Sequence, residues 1–577
     1  MDTSSRTGSA PRWAVIGLLA VLAFALWLRC SGLDWLLPHT PEPDNVSAMQ
    51  LADLESGGPP SARISRLRCY PYLLADLAWL LPKAAVPASD DLDAHLRAAS
   101  SVTLRVRLVC AVFSSALVLL TWSLARRFAG RGTALLAAAF VATSLLHILF
   151  AQQARPHGIH ATFALLAVIA ALRMRERPSW GRYACAGLAC GLAIATLQSG
   201  LATLVPLAAA HLLRERVPGK TTWWRIALPV AIVAALAYLF YPTQGEVPPG
   251  TTGLGLVITS KGIANRDHWV RFADLDGYGF VLVAQFLRDH DPALLVLPAL
   301  GLLVSVRAFA RRFRDRNLLV VLAYAIPYLI AIGTFHRTYD RFLLPLLPFL
   351  ALLAALGVTR CAGWLAARLP AAGGRRAVHA IAGLAALAFP AFVSLKFASV
   401  RDAPDTVEQA SRWITENVRP DEGNIVVAPA LTLPLFHDPL LIVPGVPPLQ
   451  FGVWVQYQAA LPPSPTRGPE YHLVNIPPTI AVKAPAEEPG FAARVVEEWR
   501  PAYAVLEISR RTTFMKLMGP IDDELRSRGD RVFVAASEPE EIPRYRPIAH
   551  QDMPDMLHRL LGLECLGPRV EIWRMRR

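Results

Sequence analysis

Hydrophobic residues do not alternate with polar ones along most of this chain; they run in blocks. About eleven blocks predict helices that cross a membrane, at 13–28, 106–124, 133–151, 157–172, 183–197, 201–213, 224–241, 292–306, 318–333, 342–358 and 378–397. A helix needs about 20 mostly apolar residues to span a bilayer, and lipid offers no partner to unpaired backbone groups, so helices must do the spanning. The alternating pattern of a barrel wall is absent. Only Gln198-Ser199-Gly200 separates the fifth block from the sixth. Arg6 and Arg12 precede the first block as in a secretory leader. That block ends in Leu26-Trp27-Leu28-Arg29-Cys30 with no small-x-small site, which predicts an uncleaved span.

The polar connections orient the blocks. Arginines crowd the N-terminal tail and the connections 126–131, 173–182, 214–225, 307–316 and 360–376. Those sides are cytoplasmic by the positive-inside rule, and an odd number of spans then puts the C-terminal part outside. Acids collect on the opposite connections, among them Asp34, Glu42, Asp44, Asp53, Glu246 and Asp276. Two outer connections are long. Within 31–104, the piece 70–82 is apolar but too short to span, and its aromatics predict a helix lying on the membrane. The second, 242–291, starts with Pro248-Pro249-Gly250 and predicts a flexible loop.

Past residue 400 the blocks stop. Residues 405–418 read as an amphipathic helix with Val407, Ala410, Ile414 and Val418 on one face. Short apolar runs at 425–428, 440–443, 502–508 and 532–536 predict strands, with a Pro-rich stretch at 444–489 between them. The expected architecture is an α-helical polytopic membrane part, 1–399, followed by an extracytoplasmic α/β domain, 400–577.

Composition agrees. The 577 residues are 54% hydrophobic and 18% charged, apolar for a soluble chain of this length. The net charge of +14 sits mostly in short connections between blocks, so it reads as an orientation signal and not as a nucleic-acid surface. The seven cysteines show no metal-ligand spacing and read as small apolar residues.

Three polar clusters on the outer side can carry chemistry. In the first, Glu42 and Asp44 follow directly on a span. A carboxylate there can take a proton from an attacking hydroxyl or amine, or Asp44 can merely cap a helix at 45–54. The second is Gln152-Gln153-Ala154-Arg155-Pro156-His157, in the turn after the third block. Arg155 is either an anion contact or a cation snorkelling to headgroups, and His157 lines the same turn. The third is His336-Arg337-Thr338-Tyr339-Asp340-Arg341. Cations on the outer face run against the orientation rule. With Lys261, Arg266 and Arg271 they can hold a departing lipid phosphate, or else bind anionic headgroups or pair with Asp340.

Along these segments the chain resembles the bacterial members of glycosyltransferase family thirty-nine, GT-C fold enzymes akin to the protein O-mannosyltransferases and the lipid A aminoarabinose transferase. The resemblance runs through most of the membrane part. It is carried by Leu28-Arg29, Gly32-Leu33 and Pro43-Asp44; by Arg107-Leu108; by His147 and Gln152-Gln153-Ala154-Arg155-Pro156; by Arg341-Phe342-Leu343-Leu344-Pro345; and by the helix at 405–417. The resemblance implies inverting transfer of a sugar from a polyprenyl-phosphate donor to an extracytoplasmic lipid, glycan or protein. Asp44 would be the base, supported by Glu42. Arg341, Arg337, His336, Lys261, Arg266 and Arg271 would hold the phosphate, and Arg155, His157 and Tyr339 would line the cavity. The implied location is a bacterial inner membrane, with the N-terminus cytoplasmic.

The chain departs from the family at Asn45 and Gln153, where the family often has Glu. Both changes remove negative charge, which weakens the case for a bound divalent metal but leaves metal dependence open, and no other cofactor is called for. They also leave open a relative that binds the lipid phosphate without turnover. A lipid or solute transporter is the other class considered; the near absence of mid-helix charge argues against it.

Overall fold

A computed structural model describes residues 12–39, 46–56, 70–215, 223–240, 256–259, 262–265, 268–312, 315–428, 431–437, 453–462, 470–476, 491–508, 512–537 and 556–576. The described residues fall into two compact units. One takes those within Met1–Cys30, Asp44–Leu81 and Arg105–Leu395; the other takes those within Ser31–Pro43, Pro82–Leu104 and Lys396–Arg577.

Every apolar block is helical where it is described. Seven helices are long and apolar enough to cross a membrane: Arg12–Cys30, Leu92–Phe128, His157–Glu176, Trp223–Phe240, Arg316–Thr334, Asp340–Ala366 and Ala372–Asn417. Two further candidates are bent pairs, Arg131–Ala142 with Leu145–Ala151 (57°) and Tyr278–His290 with Pro292–Val306 (117°), which raises the number to nine among the described residues. The remaining two of the eleven blocks are the helices Trp180–Thr196, 17 residues, and Leu204–Leu212, 9 residues. They fall short of a full span because the chain tightens between them into a 3-10 segment, Gln198–Thr203. Gly200 permits that turn: a Cβ there would stand 2.4 Å from the carbonyl oxygen of Ala193.

Several expectations need correction. The second span begins earlier than the apolar block, because 92–105 contains no Gly or Pro to stop a helix. The resulting helix, Leu92–Phe128, has 37 residues. It rises roughly 55 Å, well beyond the roughly 30 Å of hydrocarbon. The apolar piece at 70–82 forms the helix Leu73–Trp79, which buries Leu73, Leu74, Ala75 and Ala78 inside its unit and exposes Trp79. It therefore spends its apolar face largely on protein. The connection 242–291, expected to be a flexible loop, holds regular structure over most of its described residues. Strands β1 (Leu256–Thr259), β2 (Gly262–Asn265) and β3 (His268–Arg271) form an antiparallel sheet, with Ile263 opposite both Ile258 and Val270, and the helix Tyr278–His290 follows.

The second unit contains a five-stranded sheet of order β5-β4-β6-β8-β7. Its strands are β4 (Ile425–Ala428), β5 (Leu473–Asn475), β6 (Tyr503–Ile508), β7 (Gly529–Ala535) and β8 (Arg569–Met575). β4 pairs in parallel with β5 and β6, and β8 runs antiparallel to β6 and β7. Both faces are covered. Ile425, Val427, Tyr503 and Val505 pack beneath the helix Thr406–Asn417 through Val407, Ala410 and Ile414. Val426, Ala428, Ala504 and Leu506 pack with Ile521 and Leu525 on the other face. That is why these strands read as continuous apolar runs and not as alternating ones. Asp405 caps the helix by accepting from the N–H groups of Val407 (2.8 Å) and Glu408 (2.9 Å). The Pro-rich stretch at 444–489 contains a helix, Val453–Ala459, as well as β5, neither of which was expected. The expected strand at 440–443 lies outside the described residues.

Two stability predictions follow from this packing. The helices Pro292–Arg312 and Leu347–Ala366 meet at Gly301 and Gly357; a Cβ on Gly301 would lie 2.0 Å from the Leu353 carbonyl oxygen. Gly301→Leu is expected to destabilise the protein by about 1–3 kcal/mol, as overpacking does, read as a fall in the melting temperature in detergent. In the second unit, burial pushes the Asp522 carboxyl up to about 7, with Arg526 opposing and Asp523, Glu571 and Glu507 adding to the rise. A carboxyl whose folded pKa is raised loses stability as pH climbs from its unfolded value, about 4, through its folded one. Asp522→Asn is therefore expected to melt above the parent at pH 8, with the gap closing toward pH 4.

Candidate functional site

The bent pair Arg131–Ala142 and Leu145–Ala151 leads into the second polar cluster, so the break decides where that cluster points. A break inside an apolar unit orphans carbonyls on one side and N–H groups on the other. Here they are met in turn. Arg29, fully buried, donates to the carbonyls of Val141 (2.9 Å) and Ala142 (3.1 Å) and lies 2.6 Å from Nδ1 of His147. Ser394 donates to the carbonyl of Thr143 at 2.8 Å. Asp291 accepts from the N–H groups of Leu145 (2.9 Å) and Leu146 (3.3 Å) and from the hydroxyl of Ser144 (2.6 Å). The Ser144 oxygen accepts in turn from the N–H of His147. At the far end, the Gln152 amide donates to the carbonyls of Leu28 and Arg29.

This scaffold delivers Gln153, Arg155 and His157 as buried residues. The Arg155 carbonyl accepts from the Cys110 thiol at 3.3 Å. The His157 ring sits edge-on to Tyr70, centroids 6.3 Å apart, and against Phe150 at 6.3 Å. Among the described residues, neither amide atom of Gln153 and not Nδ1 of His157 has a hydrogen-bond partner.

The third cluster divides. Arg341 is buried with its guanidinium 4.2 Å above the Tyr339 ring, and its N–H donates to Asp340 at 2.7 Å. His336 and Arg337 are exposed. His336 is taken up by Asp276 at 2.6 Å and stacks on Tyr278. The N–H of Tyr278 and the His336 contact hold the Asp276 carboxyl below the usual carboxylate range.

Arg341 and Arg155, remote in sequence, are both buried, on segments that meet. The segment Asp340–Leu346 packs directly on the helices Leu145–Ala151 and His157–Glu176. Two cations, a histidine and an unsatisfied amide thus share one buried patch. Such a patch can accept an anion with neighbouring hydroxyls.

Glu42, Asp44 and Asn45 lie outside the described residues, as do Lys261 and Arg266; Arg271 is described only as part of β3. The helix that follows the acids, Val46–Ser56, is described. Gln50 donates to the Tyr70 carbonyl at 2.9 Å, and Glu55 pairs with Arg105. Tyr70 is the residue against the His157 ring, so the chain just after Asp44 is tied to the patch that holds both arginines. In the second unit, His39 pairs with Asp405 at 2.8 Å, and a cavity of about 560 Å³ is lined by Asp34, Arg97, Arg401, Asp402 and Glu408 among others. Among the described residues no group of three His, Cys, Asp or Glu side chains could hold a metal ion.

Sequence reasoning noted Arg29 only as part of the resemblance and missed Ser144, His290 and Asp291. A signal was present for the last two: an Asp-Pro pair at 291–292 opens an apolar block, where a helix is biased to stop.

Residues 95–244 match the family described as dolichyl-phosphate-mannose-protein mannosyltransferase. The stretch includes the Arg107-Leu108 and His147 to Pro156 elements. No curated protein matches the chain. Among solved structures, the chain is similar to ArnT from Cupriavidus metallidurans bound to undecaprenyl phosphate, at 16% identity over 88% of this chain and 95% of that one, TM-score 0.49. It is also similar to the archaeal oligosaccharyltransferase AglB from Archaeoglobus fulgidus in complex with an inhibitory peptide and a dolichol-phosphate, at 14% identity over 91% of this chain and 73% of that one, TM-score 0.47.

Proposed function

We propose that this protein is a membrane glycosyltransferase of the family-thirty-nine type. It moves a sugar from a polyprenyl-phosphate donor to an extracytoplasmic lipid, glycan or protein, with inversion. Its chain divides into a membrane part, 1–399, and an extracytoplasmic domain, 400–577, that shapes acceptor access; the N-terminus is cytoplasmic and the membrane is a bacterial inner membrane. The observation that carries the reading is the packing of the buried segment that bears Arg341, Asp340–Leu346, on the two helices that flank Arg155, Leu145–Ala151 and His157–Glu176. The family match over 95–244 supports it.

The chemistry assigns each group a task. Asp44 takes the proton from the acceptor hydroxyl or amine as that atom forms its bond to the anomeric carbon, and Glu42 supports it. On the opposite face the bond from the anomeric carbon to the phosphate oxygen breaks, and negative charge grows on the leaving lipid phosphate. Guanidinium groups buried away from water stabilise that charge strongly. Arg341 is the principal contact, held over Tyr339. Arg337, His336, Lys261, Arg266 and Arg271 are assigned to the same phosphate by the family resemblance. Arg155 and His157 line the cavity, and the Gln153 amide offers both a donor and an acceptor to sugar hydroxyls.

Asp44→Asn is expected to lower transfer by at least about 100-fold, as loss of a general base does, while leaving protein yield and donor binding within about twofold. Transfer at the parental rate would remove Asp44 from the mechanism. Arg341→Ala is expected to weaken binding of undecaprenyl phosphate by about tenfold or more, as loss of a charged hydrogen bond does. Unchanged affinity contradicts its role. Mass spectrometry of cell-envelope glycolipids with and without the protein identifies sugar and acceptor.

A further inference from the structure

We infer that His290 and Asp291 form a positioning clamp that sets the spacing between the two buried arginines; this rests on the donor reading above. The two residues lie side by side at the 117° break between Tyr278–His290 and Pro292–Val306. Both are buried, at 5% and 6% exposure. Each reaches a different cation-bearing segment.

Asp291 holds the first. Its two oxygens take the Ser144 hydroxyl and the N–H groups of Leu145 and Leu146. The helix it caps, Leu145–Ala151, runs directly into Gln152 and on to Arg155. A carboxylate with three donors is a rigid junction, because loss of any one bond leaves a charge unsatisfied away from water. His290 reaches the second. Its Nδ1 donates to the Phe286 carbonyl at 2.9 Å, which fixes the ring, and its Nε2 lies 3.9 Å from Asp340. Asp340 accepts the N–H of Arg341, so it sets the backbone from which that guanidinium extends. The segments carrying Arg155 and Arg341 are thus referenced to one pair of adjacent residues. A sharp helix break would otherwise be a point of give, with its backbone groups exposed to slippage. Here the break carries the gauge.

Neither residue touches donor or acceptor in this account; they act through Arg155 and Arg341. The test is binding of undecaprenyl phosphate to the full-length protein in detergent, by native mass spectrometry. Asp291→Ala is expected to weaken binding about tenfold or more, whereas Asp291→Asn, which keeps the shape and one acceptor oxygen, stays within about threefold. The double variant D291A/R155A is expected to bind no more weakly than R155A alone, because both remove the same well-placed guanidinium. Binding by D291A at the parental level, or losses that add in the double variant, would overturn the clamp. Should D291A fail to fold, His290→Ala carries the same test from the Asp340 side: weakened binding is expected, and unchanged binding refutes the proposal. If the parent itself does not bind undecaprenyl phosphate while folding normally, the donor reading falls and the clamp's role falls with it. If the parent binds and R341A weakens that binding but D291A and H290A do not, only the clamp is lost.

Discussion

A helix that breaks inside a bilayer-sized apolar unit must find new partners for every backbone group it frees, and that constraint governs this membrane unit. At the 57° break after Ala142 the freed carbonyls go to Arg29 and Ser394, and the freed N–H groups go to Asp291 and Ser144. Arg29 comes from the first span, Asp291 from the other bent pair and Ser394 from the last long helix. One break therefore ties together three remote parts of the chain. Because buried polar groups tolerate few alternative pairings, these bonds constrain the direction of Leu145–Ala151. The turn that carries Gln153, Arg155 and His157 inherits that constraint.

The same economy explains why the functional patch is rich in cations yet buried. Arg341 rests on an aromatic ring and beside Asp340, so its desolvation is offset before any ligand arrives. Gln153 and His157 supply polar groups that the described protein does not satisfy. A ligand that brings charge and hydroxyls together completes the set. The exposed pair of His336 and Asp276 follows the opposite logic, a solvent-facing contact that water screens.

The second unit needs no such stitching. Its sheet is covered on both faces by amphipathic helices, and its buried strands obey the ordinary rules of an α/β layer. Packing there fixes shape, and the titration of Asp522 is a by-product of burial, not a sign of chemistry.

The sequence by itself determined the helical blocks, their polar connections and the α/β character of the region after residue 400, because hydrophobic run length and period are local properties. It singled out Arg155 and Arg341 through local anomalies, a lone charge in an apolar turn and cations on the outer side. It treated His336 through Arg341 as one cluster, since neighbours in sequence look alike before side chains choose their directions. Only the tertiary structure decided that Arg341 is buried over Tyr339 while His336 turns out to Asp276, that two spans are bent, and that Asp291 and Arg29 hold one of those bends. The physical reason is that these pairings link residues far apart in the chain through single hydrogen bonds. No periodicity records which distant carboxylate will meet a freed N–H.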